Sequence, residues 1–330
     1  MRRYTIVTLF LLFTAFFGYA QSTNQNYVLT KTYKTETQNP ISSPSPSDAV
    51  QQITYFDGLG RPIQQIAYRQ SGDSKNLVTH IEYDGYGRQV REYLPYYSSS
   101  STLNFVDGAG SATETYYNSN YGSSYGYSEK ELENSPLGRV LRQAAPGDDW
   151  RMDSGHEIKF DYQTNTDTEV YYFKVNNPTG TPALALHSGN SGKYEANQLY
   201  KTITKDENWE SGDGKKGTVV EFKDKLGRVV LKRHYNSTTG RDVDNSIGYD
   251  TYYVYDDFGN LTFVLPPKLS EQIVSGSSLV GNHQHLLDVL GYRYTYDYRN
   301  RLIRKKLPGR QLESITYDAL NRVIAVGPVP

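Results

Sequence analysis

The chain has 330 residues, a formal net charge of −1, 31 tyrosines and no cysteine. Near-balanced charge gives no basic surplus to attract nucleic acid or anionic lipid, so we predict no nucleic-acid partner. The missing cysteines exclude disulfides, and the abundance of tyrosine favours an all-β protein with amphipathic sheets.

Residues 1–20 have the features of a secretory signal peptide. Arg2 and Arg3 supply positive charge, residues 6–17 form an apolar run, and the segment ends in a small residue, Ala20. We therefore predict cleavage after Ala20 and a secreted or outer-surface location. The run is too short to span a bilayer and no later segment is apolar enough, so we predict no membrane span.

The remaining sequence divides by composition into four parts. Residues 21–50 are rich in Thr, Asn, Ser and Pro and predict an extended linker. Residues 51–160 predict an N-terminal β domain with three copies of a repeated turn. Residues 161–217 predict a β-hairpin and loops, and residues 218–330 carry four further copies. One short helix is predicted at residues 286–290.

The repeated turn is clearest at Tyr83-Asp84-Gly85-Tyr86-Gly87-Arg88, where an aromatic residue precedes an acid and Gly-Arg follows three residues later. A type I turn favours Asp or Ser first and Gly fourth, and the acid side chain accepts a backbone hydrogen bond at the corner. Gly or Asn at the fourth position tolerates positive φ. The seven copies are Asp57/Gly60/Arg61, Asp84/Gly87/Arg88, Ser135/Gly138/Arg139, Asp224/Gly227/Arg228, Asp256/Gly259/Asn260, Asp297/Asn300/Arg301 and Asp318/Asn321/Arg322.

Strand-favouring residues flank these turns, as in residues 251–255 before the fifth copy and 261–265 after it. Each copy therefore predicts a β-hairpin. An isolated hairpin is marginally stable, so neighbouring hairpins must stack into an open, twisted sheet or spiral. Because turn geometry explains the acid at every copy, it is a better account than a repeated catalytic carboxylate or calcium ligand.

No residue pattern argues for an enzyme. His283 and His285 have the spacing that begins a zinc site, but no third ligand stands at a recognisable distance. Glycoside hydrolysis would need a pair of carboxylates, and the candidate pairs in this sequence are Asp148/Asp149 and Asp256/Asp257. The sequence has no Gly-x-Ser-x-Gly elbow, phosphate loop or cysteine nucleophile. We predict no catalytic, cofactor-binding or metal-binding residue, and a glycan-cleaving enzyme ranks last among the hypotheses.

Carbohydrate binding is the alternative function. Residues 98–127 are rich in Ser, Gly and Tyr and predict a loop over the sheet. Tyrosines such as Tyr121 and Tyr125 combine an apolar ring with a polar hydroxyl, as suits stacking on sugars. A glycan is therefore the alternative partner.

The turn frame resembles the repeat of RHS (YD-repeat) surface proteins. Residues 55–62, 135–141 and 145–150 resemble the domain of unknown function that precedes RHS arrays in some Gram-negative bacteria. Residues 222–228, 259–267 and 296–303 resemble the array that follows. The resemblance covers most of the sequence after residue 20, and its strength lies in the ordered set of motifs.

The resemblance implies a non-enzymatic scaffold. RHS proteins wind their repeats into a β-sheet spiral that forms a shell around a C-terminal toxin, so a further RHS-repeat or toxin polypeptide is the implied partner. The sequence given ends at Pro330, soon after the seventh repeat. We therefore expect a partial RHS-type shell, from the N-terminal part of a polymorphic-toxin protein or a truncated remnant, with an unpaired edge at residues 322–326.

Overall fold

The structure is a computed structural model that describes residues 24–178, 180–236, 248–275 and 284–329. The chain divides into two compact units, Met1–Glu157 and Ile158–Pro330. The predicted signal peptide and His283 lie outside the described residues. Within the described ranges, no helix combines the length and the apolar character needed to cross a membrane.

The described residues of the first unit form antiparallel sheets and one α-helix. One sheet has the strand order β1-β2-β3-β4-β6, and β7 pairs with β5 on one side and β8 on the other. The strands are β1 (Asn26–Tyr33), β2 (Ala49–Phe56), β3 (Pro62–Ala67), β4 (Asn76–His80), β5 (Arg91–Tyr93), β6 (Tyr96–Ser98), β7 (Tyr127–Leu132) and β8 (Val140–Ala144), and the helix is α1 (Ala109–Tyr121).

The core of the first unit lies on one face of the five-stranded sheet. Strand β2 alternates buried and more exposed residues, which places Ile53 and Tyr55 on the face that packs with Ile66 and Val78. The buried Tyr55 hydroxyl donates to the Leu103 carbonyl at 2.6 Å, so the phenol is satisfied inside an apolar cluster.

Two predictions about the first unit need correction. Residues 26–33, predicted as part of an extended linker, form β1 and pair with β2 along its whole length. Their β-branched and aromatic residues (Tyr27, Val28, Thr30, Thr32 and Tyr33) favour a strand, and the pairing covers the edge of β2. The predicted loop at residues 98–127 contains α1, which buries Ala109 and Thr113 and ends at Gly122 with a left-handed φ of 75°.

The second unit is built on a meander of antiparallel strands, with the order β9-β12-β13-β14-β15-β16-β17-β18-β19-β20, and β10 pairs with β11 separately. The elements are β9 (Ile158–Thr164), β10 (Phe173–Asn176), β11 (Ala183–Leu186), β12 (Tyr200–Lys205), β13 (Thr218–Lys223), β14 (Val229–His234), β15 (Tyr249–Tyr255), β16 (Leu261–Leu265), α2 (Pro267–Ser275), α3 (Gln284–Leu290), β17 (Tyr292–Tyr296), β18 (Leu302–Lys306), β19 (Leu312–Tyr317) and β20 (Val323–Pro328).

Helices α2 and α3 contribute to the core of the second unit. Pro267 stands at the first position of α2, where its fixed φ suits a helix start. Leu269 and Ile273 lie four residues apart on one helix face, and they and Leu287 of α3 belong to the buried cluster that includes Phe263 of β16.

The predicted all-β fold of stacked hairpins in an open sheet is confirmed by the strand order and pairing. The predicted count of one short helix is wrong, since the described residues contain three. The helix predicted near Leu286 is α3, whereas the proline and leucine signals of α2 and the alanine–threonine run of α1 were missed.

Candidate functional site: the ladder of repeated turns

Each repeated turn is closed by its own acid. In the second turn, Asp84 Oδ1 accepts from the backbone N–H groups of Tyr86 and Arg88 at 2.9 and 2.8 Å. Its Oδ2 accepts from Arg88 Nε at 2.8 Å. The Gly87 N–H donates to the Asp84 carbonyl at 2.9 Å. The carboxylate thus satisfies the corner of the turn and pairs with an arginine four residues later.

The same bonding pattern recurs at the first, fourth, sixth and seventh turns, whose acids are Asp57, Asp224, Asp297 and Asp318 and whose arginines are Arg61, Arg228, Arg301 and Arg322. In the fifth turn Asn260 replaces the arginine, and its Nδ2 donates to Asp256 Oδ2 at 3.0 Å. Asp256 is 5% exposed and fully engaged in its turn, so it does not form a free carboxylate pair with Asp257.

The third turn uses a different acid from the one that the spacing indicates. Ser135 stands in the acid position, but Glu133 holds Arg139: its Oε2 accepts from Arg139 Nε and Nη2 at 2.9 and 2.7 Å. Glu133 Oε1 also accepts from the Ser135 hydroxyl at 2.7 Å. These bonds lower the pKa of Glu133 to about 2, and the bonds from the Arg139 side chain make the largest contribution. The longer glutamate reaches the arginine from two residues upstream.

The fourth turn position has left-handed backbone in every copy, with φ between 57° and 87°. The residues are Gly60, Gly87, Gly138, Gly227, Gly259, Asn300 and Asn321. One of the glycines also leaves room for the preceding turn. A Cβ on Gly87 would lie 2.8 Å from Arg61 Nη1, whereas one on Gly259 would make an ordinary contact with Arg228 Nη1 at 3.6 Å.

Neighbouring turns are connected by an arginine and a tyrosine. The Arg61 guanidinium of the first turn lies 4.4 Å from the ring centroid of Tyr83, which precedes the acid of the second turn. The Tyr83 hydroxyl donates back to the Pro62 carbonyl at 3.0 Å. The arginine is therefore shared between its own carboxylate and the next aromatic ring, an arrangement that favours cation–π attraction.

The connection repeats in the second unit. Arg228 lies 4.8 Å from the centroid of Tyr255, and Arg301 lies 4.7 Å from that of Tyr317. The Tyr317 hydroxyl donates to Leu302 O at 3.0 Å, matching the bond made by Tyr83. We call this row of turns, with its arginine and tyrosine contacts, the turn ladder.

Asparagine at the fourth position has a second role in the turn ladder. Asn300 Oδ1 accepts from Asn260 Nδ2 of the preceding turn at 3.0 Å. Asn321 Oδ1 accepts from Arg301 Nη1 at 2.8 Å. The asparagines therefore replace the close backbone approach of glycine by a side-chain hydrogen bond, a contact that the spacing of the repeat did not predict.

The last described turn has no such neighbour. The Arg322 side chain is 73% exposed, whereas that of Arg301 is 24% exposed. Among the described strands, β20 pairs only with β19. Its Val323, Ile324 and Val326 side chains are exposed. Among the described residues, this edge of the sheet thus consists of β20 with exposed apolar side chains and of an Arg322 guanidinium that no tyrosine covers.

The other sequence candidates are not brought together. The described ranges contain no cluster of three or more histidine, cysteine or acidic residues able to hold a metal. Asp148 and Asp149 lie in a short 3₁₀ turn, and His285 lies near the start of α3, exposed. Tyr121 stacks on Tyr117 with centroids 5.5 Å apart.

Residues 29–164 match the sequence profile of a family described as a domain of unknown function, DUF6443. The match covers 136 of the 330 residues. No curated protein matches the chain.

Solved structures similar in fold come from toxin complexes. One is the Tc holotoxin pore of Photorhabdus luminescens with a mutation in TccC3: the TM-score is 0.53, the identity 16%, and the match covers 86% of this chain and 12% of that chain. Another is the crystal structure of TcdB2-TccC3, with a TM-score of 0.52, 16% identity, and coverage of 85% and 12%. The chain thus spans a small part of these proteins and shares their β fold.

Proposed function

We propose that the chain is a non-enzymatic RHS-type (YD-repeat) scaffold, secreted or held at the outer cell surface, within a toxin-associated β-shell. The single observation that carries this proposal is the turn ladder, in which the arginines of the first, fourth and sixth turns contact the tyrosine of the next turn. Such a unit extends by addition of hairpins, and β20 with Arg322 is an edge open for addition. The fold shared with chains of Tc toxin complexes supports the same role.

The partner that fits this edge is a repeat-bearing strand, on the same polypeptide or on another. Its tyrosine would lie on the exposed Arg322 guanidinium as Tyr317 lies on Arg301. Its apolar side chains would cover Ile324, which is 63% exposed. Pairing along β20 would also satisfy the free backbone groups of the edge, which otherwise favour uncontrolled association.

Site-specific crosslinking tests the scaffold. Because the chain has no cysteine, I324C introduces a unique thiol on β20, and L59C introduces one at the exposed tip of the first turn as the matched control. A thiol-linked photocrosslinker is attached in the producing cells, and adducts are identified by mass spectrometry. We expect I324C to capture peptides that carry the Tyr-Asp turn frame and L59C not to. Equal capture from both positions, or none from I324C, would contradict the proposal.

Export is tested separately, by the mass of the protein recovered from the cell surface and the medium. We expect an N-terminus at Gln21, because the charged and apolar parts of residues 1–20 match a signal peptide. Recovery only from the cytoplasm, with the N-terminal methionine segment intact, would contradict export while leaving the scaffold proposal standing.

Carbohydrate binding is a second candidate, favoured by a cluster of rings on α1. Tyr116 contacts Tyr97, Tyr117 and Tyr121, and Tyr121 is 70% exposed. If this surface binds glycans, Y121A should release the protein from an insoluble polysaccharide that retains the wild type. Tyr125 is a poorer candidate because Arg151 lies over its ring at 5.4 Å.

A further inference from the structure

A groove of about 840 Å³ lies in the second unit, whereas the tyrosines of α1 belong to the first unit. It is lined by the fourth and fifth turns with their flanking strands and by residues 172–176, 194 and 198–199. Its volume falls in the range of about 300–1,000 Å³ that is usual for small-molecule sites. The scaffold function uses none of the space within it.

Aromatic rings supply much of the groove wall. Tyr194 stacks on Tyr172 with centroids 4.2 Å apart and planes 18° apart, which fixes both rings. Tyr253 and Tyr255 also line the groove, and Phe258 is 63% exposed at the tip of the fifth turn. Fixed rings that combine an apolar face with a hydroxyl lose little conformational freedom on binding.

Hydrogen-bonding groups are distributed among these rings. In the described part of the chain, the hydroxyls of Tyr194, Tyr253 and Tyr255 and the Asp257 carboxylate have no hydrogen-bond or ion-pair partner, and Asn176 adds an amide to the same wall. Burial raises the pKa of Tyr194 well above its ordinary value, and the neighbouring Tyr172 makes the next largest contribution. The hydroxyl, which any tyrosine keeps protonated at neutral pH, therefore stays protonated into the alkaline range as well.

The charges of the groove cancel. The lining acids Asp224, Asp256 and Asp257 are matched by Lys174, Lys225 and Arg228. Asp224 is already paired with Arg228 at 2.7 Å, and Asp256 is enclosed by its own turn. The groove therefore offers no charge surplus to a phosphate, a sulfate or a polyamine. It also has too many free polar groups to suit a purely apolar ligand, which would leave them unpaired.

We propose that this groove binds a neutral oligosaccharide. The C–H faces of sugar rings pack on aromatic side chains, and sugar hydroxyls donate to carboxylate and amide oxygens and accept from phenols. The proposal deepens the second candidate function by assigning carbohydrate binding to a surface other than α1. It does not rest on the scaffold function.

Titration calorimetry on residues 21–330 tests the proposal. The neutral probes are cellotetraose, maltotetraose and N-acetylchitotetraose, and the charged probes are tetragalacturonate and a sulfated heparin tetrasaccharide. We expect at least one neutral probe to bind, with about tenfold weaker affinity in F258A and in D257A because each removes a direct contact. The matched control is Y298A, at the exposed tip of the sixth turn and outside the groove.

The outcomes separate the groove from α1. Loss of affinity in F258A and D257A with unchanged affinity in Y298A and Y121A would support the groove. Loss only in Y121A would overturn the groove proposal and leave the α1 surface standing. Binding of no neutral probe, or tighter binding of the charged probes, would also overturn it, and the crosslinking result at β20 would be unaffected.

Discussion

At the scale of single residues, the fourth turn position depends on backbone conformation. Gly227 has φ 80°, and a Cβ there would meet no atom within 4 Å. We therefore expect G227A to lower the free energy of unfolding by about 1–2 kcal/mol through left-handed strain alone. G227N should cost much less, because asparagine occupies this conformation at Asn300 and Asn321.

Urea unfolding monitored by circular dichroism measures these differences. The control is G58A, since Gly58 lies in the first turn without positive φ and with space for a methyl group. A β-branched residue resists positive φ more strongly, so G87V and G227V are expected to misfold. Unchanged thermal unfolding of those two variants would contradict the turn geometry.

The turn acids predict loss of stability in acid. The Arg139 side chain, followed by Ser135, lowers the pKa of Glu133 from 4.5 to about 2. Backbone and side-chain bonds from the following arginines also lower the pKa values of Asp57, Asp84 and Asp318. A carboxyl with a lowered folded pKa stabilises the fold above its unfolded pKa, and this stabilisation is lost as pH falls through the folded value.

We therefore expect the urea midpoint to fall as the pH is lowered from about 4.5 towards 2. E133Q isolates one contribution. The difference in free energy of unfolding between wild type and E133Q should be constant above pH 5 and should shrink towards pH 2. A difference that stays constant over the whole range would mean that ionised Glu133 does not stabilise the third turn.

The residue scale also shows how far sequence reasoning reached. The period of acid, glycine and arginine located all seven turns, because turn geometry is local and each position has a physical requirement. Glu133 was missed because it lies two residues before the acid position of the repeat, so the spacing of the repeated residues does not point to it. A signal was present in the sequence: Ser135 carries no charge to pair with Arg139, and Glu133 is the nearest acid upstream of it.

At the scale of elements, the hydroxyls of Tyr83 and Tyr317 tie the second and the seventh hairpin to the hairpin before it. Y83F removes the hydrogen bond to Pro62 O but keeps the ring beneath Arg61, so we expect a loss of about 0.5–1.5 kcal/mol. Y83A should cost more, because it also removes the cation–π contact. Tyr86 at the exposed tip of the same turn is the control position, and Y86F should be close to neutral. Equal losses in Y83F and Y86F would contradict a specific role for the Tyr83 hydroxyl.

Secondary-structure elements were predicted where nearby residues in the sequence determine them. They were missed where contacts with other parts of the chain determine them. The hairpins follow from turn residues flanked by β-branched and aromatic runs. Strand β1 is exposed along most of its length and gains its structure from pairing with β2, so its Thr- and Asn-rich composition favoured a linker. Helix α1 has a polar, tyrosine-rich sequence without an apolar stripe, and it is stabilised by the few residues that it buries.

At the scale of the whole molecule, the turn ladder explains how repeats of modest individual stability form a sheet. Each hairpin buries little alone, and a repeat array is stabilised by contacts between neighbours. Among the described residues, Arg322 and the edge of β20 have no such neighbour. This edge was expected because residues 322–326 follow the seventh repeat, whereas the repeat spacing does not specify the sharing of arginines between turns.

The central claim is that neighbouring hairpins are energetically coupled through the turn ladder. The most direct measurement is a double-mutant cycle at Arg301 and Tyr317. The free energies of urea unfolding are measured for the wild type, for R301A, Y317F and Y317A, and for the two double variants. We predict a coupling free energy of about 0.5–2 kcal/mol between Arg301 and the Tyr317 ring. R228A with Y317A, whose turns are separated by several strands, should be additive within about 0.5 kcal/mol. Additivity of R301A and Y317A would contradict the coupling and leave a row of independent hairpins.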